Sequence, residues 1–151
     1  MNAVVRKALD EDAPAVYAVE RECSSHPWTE EQILEEIRFA QAYTCVCEAE
    51  GEVTGFATMQ TAAEFAHINE LGVLPAFRRR GYARMIMQDL FREGLDRGCE
   101  MISLEVRKSN TAARNLYGSL GFSDAGTRKR FYRDPEEDAV VMIKELKEEK
   151  I

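Results

Sequence analysis

The stretch Leu71–Met87, LGVLPAFRRRGYARMIM, decides the fold. An apolar strand ends at Pro75, a short basic loop carries Arg78, Arg79 and Arg80, and the small residues Gly81 and Ala83 fall in the first turn of a helix. A helix start of this kind points free backbone N–H groups outward, and its dipole favours negative charge. Small side chains there let a ligand approach the backbone. Arg78 or Arg79 would add a fork onto a phosphate. The pattern predicts an anion cradle suited to one pyrophosphate. The common nucleotide loops are excluded, because neither G-x-G-x-x-G nor G-x-x-x-x-G-K-[ST] occurs here.

Upstream, AVVRKAL (3–9) reads as a strand, and Asp10 offers an N-cap to a helix whose Ala13, Val16, Tyr17 and Glu20 recur at helical spacing. Thr29 with Gln32 forms a capping-box pattern before a second helix with Ile33, Leu34, Ile37 and Phe39 as its apolar stripe. Tyr43–Glu48 and Val53–Thr61 alternate as a hairpin turning at Glu50–Gly51. In the next strand, alternation predicts His67, Asn69, Leu71 and Val73 on one face, with Ile68, Glu70 and Gly72 on the other.

Downstream, the helix from Gly81 to Arg97 puts Ala83, Ile86, Met87, Leu90 and Gly94 on one face and stops at Gly98. MISLEV (101–106) is an apolar strand expected at the centre of the sheet. Asn110 caps a short helix with Ala113, Leu116, Tyr117 and Leu120 in one stripe, closed by Gly121. Two strands, around FSDAGTRKRFY and AVVMIKEL, finish the fold, and the tail KELKEEKI is expected to fray. The resulting class is α/β, a mixed sheet covered by helices in one domain over 1–151.

With 151 residues and a formal net charge of −7, the chain is sized for one domain and its long-range field repels a phosphate polymer while attracting a cationic partner. No apolar run approaches the roughly 20 residues that cross a bilayer, and the N-terminus lacks a secretory pattern. A cytoplasmic location is the expectation. The four cysteines, Cys23, Cys45, Cys47 and Cys99, form no C-x-x-C pair and are expected as buried reduced thiols. No metal site is expected, and His26 and His67 read as ordinary polar residues.

LGVLPAFRRRGYARMIM resembles the acetyl-CoA-binding segment of the GNAT N-acetyltransferases, and the order of elements above is the order of that superfamily. LEVRKSNTAARNLYGSLGF (104–122), together with HPWTEEQ (26–32) and RKRFYRDPEEDAVVM (128–142), is most similar to the RimI-type enzymes, which acetylate the N-terminal alanine of a ribosomal protein. The resemblance implies the GNAT fold, a mostly antiparallel sheet of about seven strands flanked by four helices and splayed between the fourth and fifth strands. It also implies acetyl-CoA as co-substrate, no metal, and a basic protein N-terminus as acceptor, with no direct nucleic acid or membrane partner. A monomer or weak dimer is expected.

Carried over by position, the backbone of Leu71, Gly72 and Val73 would pair with the pantetheine arm, and Arg78, Arg79, Arg80, Gly81, Tyr82, Ala83 and Arg84 would wrap the pyrophosphate. Asn110 and Tyr117 would contact the cofactor, Glu105 would be the general base, and Tyr117 the acid that protonates the departing thiolate. Glu70 stands where many other members of the superfamily place their acid, so two carboxylates compete for the base; the longer matched segment favours Glu105.

Structural alternatives accompany these roles: Tyr117 as core, Glu105 in an ion pair with Arg107 or Arg128, and Trp28 under the second helix rather than along the substrate groove. Trp28, Glu70 and Tyr132 are the candidate substrate-binding residues, Tyr132 with nearby acids such as Glu30, Glu31 or Glu137 in a groove for an extended basic peptide. Rival functions are a small-molecule amine acetyltransferase (polyamine or aminoglycoside), a non-catalytic acyl-CoA-binding regulatory module and, from the basic aromatic run RKRFYR, a nucleic-acid binder.

Overall fold

The computed structural model describes residues 2–147. They form seven strands and four helices in the order β1 (Ala3–Lys7), α1 (Ala13–Cys23), α2 (Glu30–Arg38), β2 (Ala42–Ala49), β3 (Glu52–Ala62), β4 (Phe65–Val73), α3 (Tyr82–Asp96), β5 (Met101–Arg107), α4 (Thr111–Ser119), β6 (Ser123–Tyr132) and β7 (Glu137–Glu145). The sheet runs β1-β2-β3-β4-β5-β7-β6 and is antiparallel except where β4 meets β5. Of the tail expected to fray, 148–151 lie outside the described residues.

Two apolar cores sandwich this sheet. On one face Val16 and Val19 of α1 and Ile33 of α2 pack with Val46 and Phe56. On the other, Ile86, Met87 and Leu90 of α3 and Tyr117 of α4 pack with Cys45, Ala57, Met59, Ile102 and Leu104. Burying each large aliphatic side chain contributes about 1.5–3 kcal/mol, so the alternation that supplies both faces holds the layers together. β5 follows that alternation rather than being apolar throughout: Ile102, Leu104 and Val106 are buried, and Ser103, Glu105 and Arg107 point to the opposite face.

The predicted capping box is present, with Thr29 Oγ1 accepting from the Gln32 N–H at 3.1 Å and Gln32 Oε1 accepting from the Thr29 N–H at 2.9 Å. At α1 the expectation of an Asp10 cap is corrected. Asp10–Asp12 form a 3₁₀ turn, and Asp12 is the buried acid, accepting the Leu9 N–H at 2.7 Å and both Arg6 Nη groups at 2.8 and 2.9 Å. The fork of Arg6 matches a carboxylate at Asp12, and Asp10 instead meets Arg38 at the surface.

The predicted alternation of β4 is also corrected. Thr58 pairs with Glu70 but Met59 pairs with Ile68, so Asn69 is an extra residue, a β-bulge. Past the bulge each side chain changes face. Ile68 joins Met59 in the core under α3, and His67, opposite Gln60, shares the α1/α2 face with Glu70. Glu36 of α2 holds this irregularity: its carboxylate accepts from Thr58 Oγ1 at 2.8 Å and Gln60 Nε2 at 2.9 Å, and Asn69 Nδ2 reaches it at 3.5 Å.

Candidate active site

β4 and β5 pair only through Phe65–His67 and Met101–Ser103, and from there the strands part. The fork opens a cleft of about 270 Å³ whose walls include Ile68–Leu71 of β4, Leu104–Arg107 of β5, Cys23–Ser25 at the end of α1, and Asn110, Tyr117 and Tyr132. The cleft therefore brings together Glu70, Leu71, Glu105, Asn110, Tyr117 and Tyr132. Because the sheet is open here, a group on the α1/α2 face and a group on the α3/α4 face reach the same space.

Glu105 enters from the α1/α2 face. Its Oε1 meets His67 Nε2 at 2.9 Å and its Oε2 accepts from Arg128 Nη1 at 3.2 Å. Burial opposes its ionisation, but His67 and then Arg128 outweigh burial and hold the carboxyl below its ordinary value. The ion pair with Arg128 was the structural alternative for Glu105; it is present, and the carboxylate nevertheless lines the cleft. Glu70 differs. Burial first, then the charge of Glu20 and a hydrogen bond with it, push the Glu70 carboxyl well above the usual carboxylate range. Glu20 is 2% exposed, and its Oε2 accepts the Trp28 N–H at 3.0 Å.

Tyr117 enters from the other face. Its ring packs on Phe122 with centroids 5.9 Å apart, so the core reading and the cleft reading both apply. Burial, and secondarily Tyr132, push its phenol up to about 12, and such a phenol keeps its proton at neutral pH. Asn110 caps α4, its Oδ1 accepting the Ala113 N–H at 3.1 Å. Tyr132 is fixed by Arg107, whose guanidinium lies 4.5 Å from the ring centroid and donates to the carbonyls of Pro135 at 2.8 Å and Arg133 at 2.9 Å. His26 meets Asp134 at 2.7 Å and so links the α1–α2 connection to the β6–β7 turn.

At the start of α3, Gly81 has φ +83, a left-handed conformation that favours glycine, and a Cβ built there meets nothing within 4 Å. The helix N-terminus thus faces open space. The three arginines differ. Arg78 turns back to the strand end, Nε donating to Val73 O at 2.9 Å; Arg80 pairs with Glu50 at 2.8 Å and stacks over Phe77. Among the described residues Arg79 has no carboxylate partner. Arg84 donates to Ser119 Oγ at 2.9 Å, and the Tyr82 ring is buried against Phe77, leaving its backbone at the helix start.

Trp28 is not in the cleft. It packs on the core under α2 and lines a separate surface groove with Gln32, Glu35, Arg38 and Phe39. Glu137 accepts the Ser109 N–H at 2.6 Å and so fixes the loop before α4; the Ser109 side chain first, then this N–H and Arg107, lower its carboxyl pKa. Cys45, Cys47 and Cys99 are buried, whereas Cys23 is half-buried at the cleft; all four are unpaired. Among the described residues no group of three or more His, Cys, Asp or Glu side chains is placed to hold a metal, and no helix is long and apolar enough to cross a membrane.

Sequence reasoning missed two residues. Glu20 carried a signal, an acid four residues after Val16 on the buried stripe of α1. His67 carried none, since its partners come from β5 and its face from the bulge.

The model of the Acetyltransferase (GNAT) family matches residues 13–122. The [ribosomal protein bS18]-alanine N-acetyltransferase of Salmonella typhimurium is 34% identical over 133 residues, covering 87% of this chain and 89% of that protein. The crystal structure of the ribosomal-protein-S18-alanine N-acetyltransferase from Escherichia coli superposes with a TM-score of 0.89 at 29% identity, over 99% of this chain and 97% of that one. A putative acetyltransferase of Salmonella typhimurium solved with its cofactor acetyl-CoA has the same fold, with a TM-score of 0.85 at 19% identity, covering 100% of this chain and 98% of that one. A family match over most of the chain and a relative aligned along most of its length lead to one conclusion: the chain belongs to the GNAT family of acetyl-CoA-dependent N-acetyltransferases.

Proposed function

We propose that the chain acetylates a protein N-terminal α-amine, the amine of an N-terminal alanine on a basic ribosomal protein, with Glu105 as general base and Tyr117 as general acid. The observation that carries this reading is the convergence of Glu105 and Tyr117 on one cleft from opposite faces of the forked sheet. The curated relatives named for bS18 alanine supply the acceptor class.

The residues fit the co-substrate. The edge of β4 at Leu71–Val73 is free of β5, and Gly81 opens the α3 N-terminus toward space. Gly81–Arg84 with Arg79 would hold the pyrophosphate, and Asn110 would add a contact further along. When bound, acetyl-CoA supplies an acetyl thioester. An α-amine with a reference pKa near 8 attacks only after losing its proton. Glu105, held ionised by His67 and Arg128, is ready to take that proton; Glu70, whose carboxyl is pushed up by burial and by Glu20, is not. Tyr117 keeps its phenolic proton for the leaving sulfur. A net charge of −7 favours a cationic acceptor, and the gap between Cys23–Ser25 and Tyr132 supplies its entrance.

The test is acetyl-CoA turnover on a panel of N-terminal peptides, one beginning Ala-Arg, beside polyamines and aminoglycosides. Turnover concentrated on the alanine peptides is expected. Strong activity on the small amines alone would defeat the peptide reading, and binding without turnover would favour a regulatory module.

A further inference from the structure

His67 stands at the fork itself. It is the last residue of β4 to pair with β5, opposite Ser103. Its ring spans the point of divergence, with Nδ1 2.7 Å from Ser103 Oγ and Nε2 2.9 Å from Glu105 Oε1. We infer that His67 is the positioning residue of the active-site carboxylate: Ser103 fixes the ring, and the ring aims Glu105 into the cleft. This rests on the reading of Glu105 as the base.

Hydrogen-bond accounting gives the direction of the contact. If the Ser103 hydroxyl donates to Nδ1, the neutral ring carries its proton on Nε2 and donates it to Glu105. If that hydroxyl instead points to Ala66 O, 3.5 Å away, Ser103 accepts from Nδ1–H and the charged ring still donates from Nε2. An ionised Glu105 can only accept, so at 2.9 Å from it Nε2 carries a proton in either arrangement.

The second partner of the carboxylate is less constraining. Arg128 reaches Glu105 on a long side chain that is 56% exposed, and exposed pairs of this kind fix little. His67, a short side chain held at both nitrogens, sets the plane in which Glu105 meets an amine. Because the bulge at Asn69 turns His67 onto the face of Glu105, the irregular strand is part of the same device.

Other titratable and charged groups stand on or beside the same cleft, so a pH profile must be read against them. Glu70 lies on β4 with Glu20 of α1 behind it, and Arg107 is on the strand of Glu105. Tyr132 and Arg128 come from β6, and Glu137 from β7. All of these groups are kept in His67→Leu and His67→Gln alike, so a change in the acidic limb that appears in the first and not in the second reports the lost donor.

The experiment compares full-length His67→Leu, His67→Gln, Ser103→Ala and Glu105→Gln with the unaltered protein, using an N-terminal alanine peptide and acetyl-CoA. Folding is checked by thermal unfolding. His67→Leu is expected to lower kcat about ten- to a hundred-fold, leave KM for acetyl-CoA unchanged, and move the acidic limb of kcat/KM to higher pH. His67→Gln, with an amide N–H near the Nε2 position, should restore most of the loss, and Ser103→Ala should give a smaller loss in the same direction. A His67→Leu enzyme with unaltered kcat and acidic limb would overturn the inference, as would a Gln variant no better than Leu. Should His67→Leu fail to fold, unaltered kcat and acidic limb in Ser103→Ala would overturn it. Glu105→Gln separates the two readings. If it keeps the acidic limb, the base is elsewhere; if it loses that limb while His67→Leu does not, only the positioning role fails.

Discussion

Glu70 of β4 and Glu20 of α1 are neighbouring carboxyls: burial first, then the charge of Glu20 and its hydrogen-bonding proximity, raise the Glu70 carboxyl, while Glu20 Oε2 accepts the Trp28 N–H at 3.0 Å. Burial and a neighbouring like charge both disfavour the ionised form, so the Glu70 carboxyl holds its proton to higher pH than an ordinary carboxyl. The pair links α1 to the free part of β4. On the proposed reading it is also the reason that Glu70, although on β4, is not the base.

This pair makes stability depend on pH in a stated direction. The Glu70 carboxyl is raised in the folded state, so between its unfolded and folded pKa the native protein binds more protons than the unfolded chain, and stability falls as pH rises. Glu70→Gln removes that dependence. The variant is expected to gain in Tm over the unaltered protein at pH 8 and to gain less at pH 4.5, with about 2–4 °C for each kcal/mol of repulsion removed. Thermal unfolding at both pH values measures it; an equal change at both would show that Glu70 does not carry the retained proton.

Glu36 tests whether the bulge shapes the site. It is 8% exposed and holds Thr58, Gln60 and Asn69 together. Glu36→Ala leaves the buried Thr58 hydroxyl without its acceptor, which costs about 1–3 kcal/mol. It also releases the register that puts His67 and Glu70 on one face. Expected are a lower denaturant midpoint and a loss of kcat larger than any change in KM for acetyl-CoA. Unaltered kcat in a folded variant would show that the bulge stands without Glu36.

How much of this was legible in the sequence follows from what period and spacing encode. The strand–loop–helix of Leu71–Met87, the Thr29–Gln32 capping box and the order of elements are local patterns, and the structure has them. The fork between β4 and β5, expected from the family resemblance, is also there. The bulge at Asn69 was not legible, because one extra residue leaves the composition of a strand unchanged while reversing its faces beyond that point. The His67–Glu105 and Glu20–Glu70 contacts join residues 38 and 50 positions apart. No pattern within one element reports such contacts. The acid on the apolar stripe of α1 was the single local clue.

Gly81 and Arg79 carry the prediction for the cofactor cradle. Gly81→Ala forces a Cβ onto φ +83, a strain of about 1–2 kcal/mol. Gly81→Glu adds bulk and negative charge where a pyrophosphate would lie. KM for acetyl-CoA should rise several-fold in the first variant and far more in the second. Arg79→Ala should raise the same KM in a salt-sensitive way, whereas Arg78→Ala, which loses the bond to Val73 O, should act on thermal stability. Isothermal titration with CoA checks the first three and thermal unfolding the fourth; wild-type affinity in Gly81→Glu would put the cradle elsewhere.

Tyr117→Phe isolates the acid. The ring remains to pack on Phe122, so the fold and the cleft persist, and only the hydroxyl is lost. Since the phenol is pushed up to about 12, it keeps its proton throughout the neutral range, and in the proposed role its contribution would arise as charge develops on the departing sulfur rather than in binding. The variant should therefore lose about 10²–10⁴ in kcat with KM for both substrates nearly unchanged. An acetyl thioester with a more acidic thiol needs less protonation, so such a donor should recover part of the loss. A kcat within a few-fold of the unaltered enzyme, or a loss the better leaving group leaves untouched, would assign Tyr117 to the core alone.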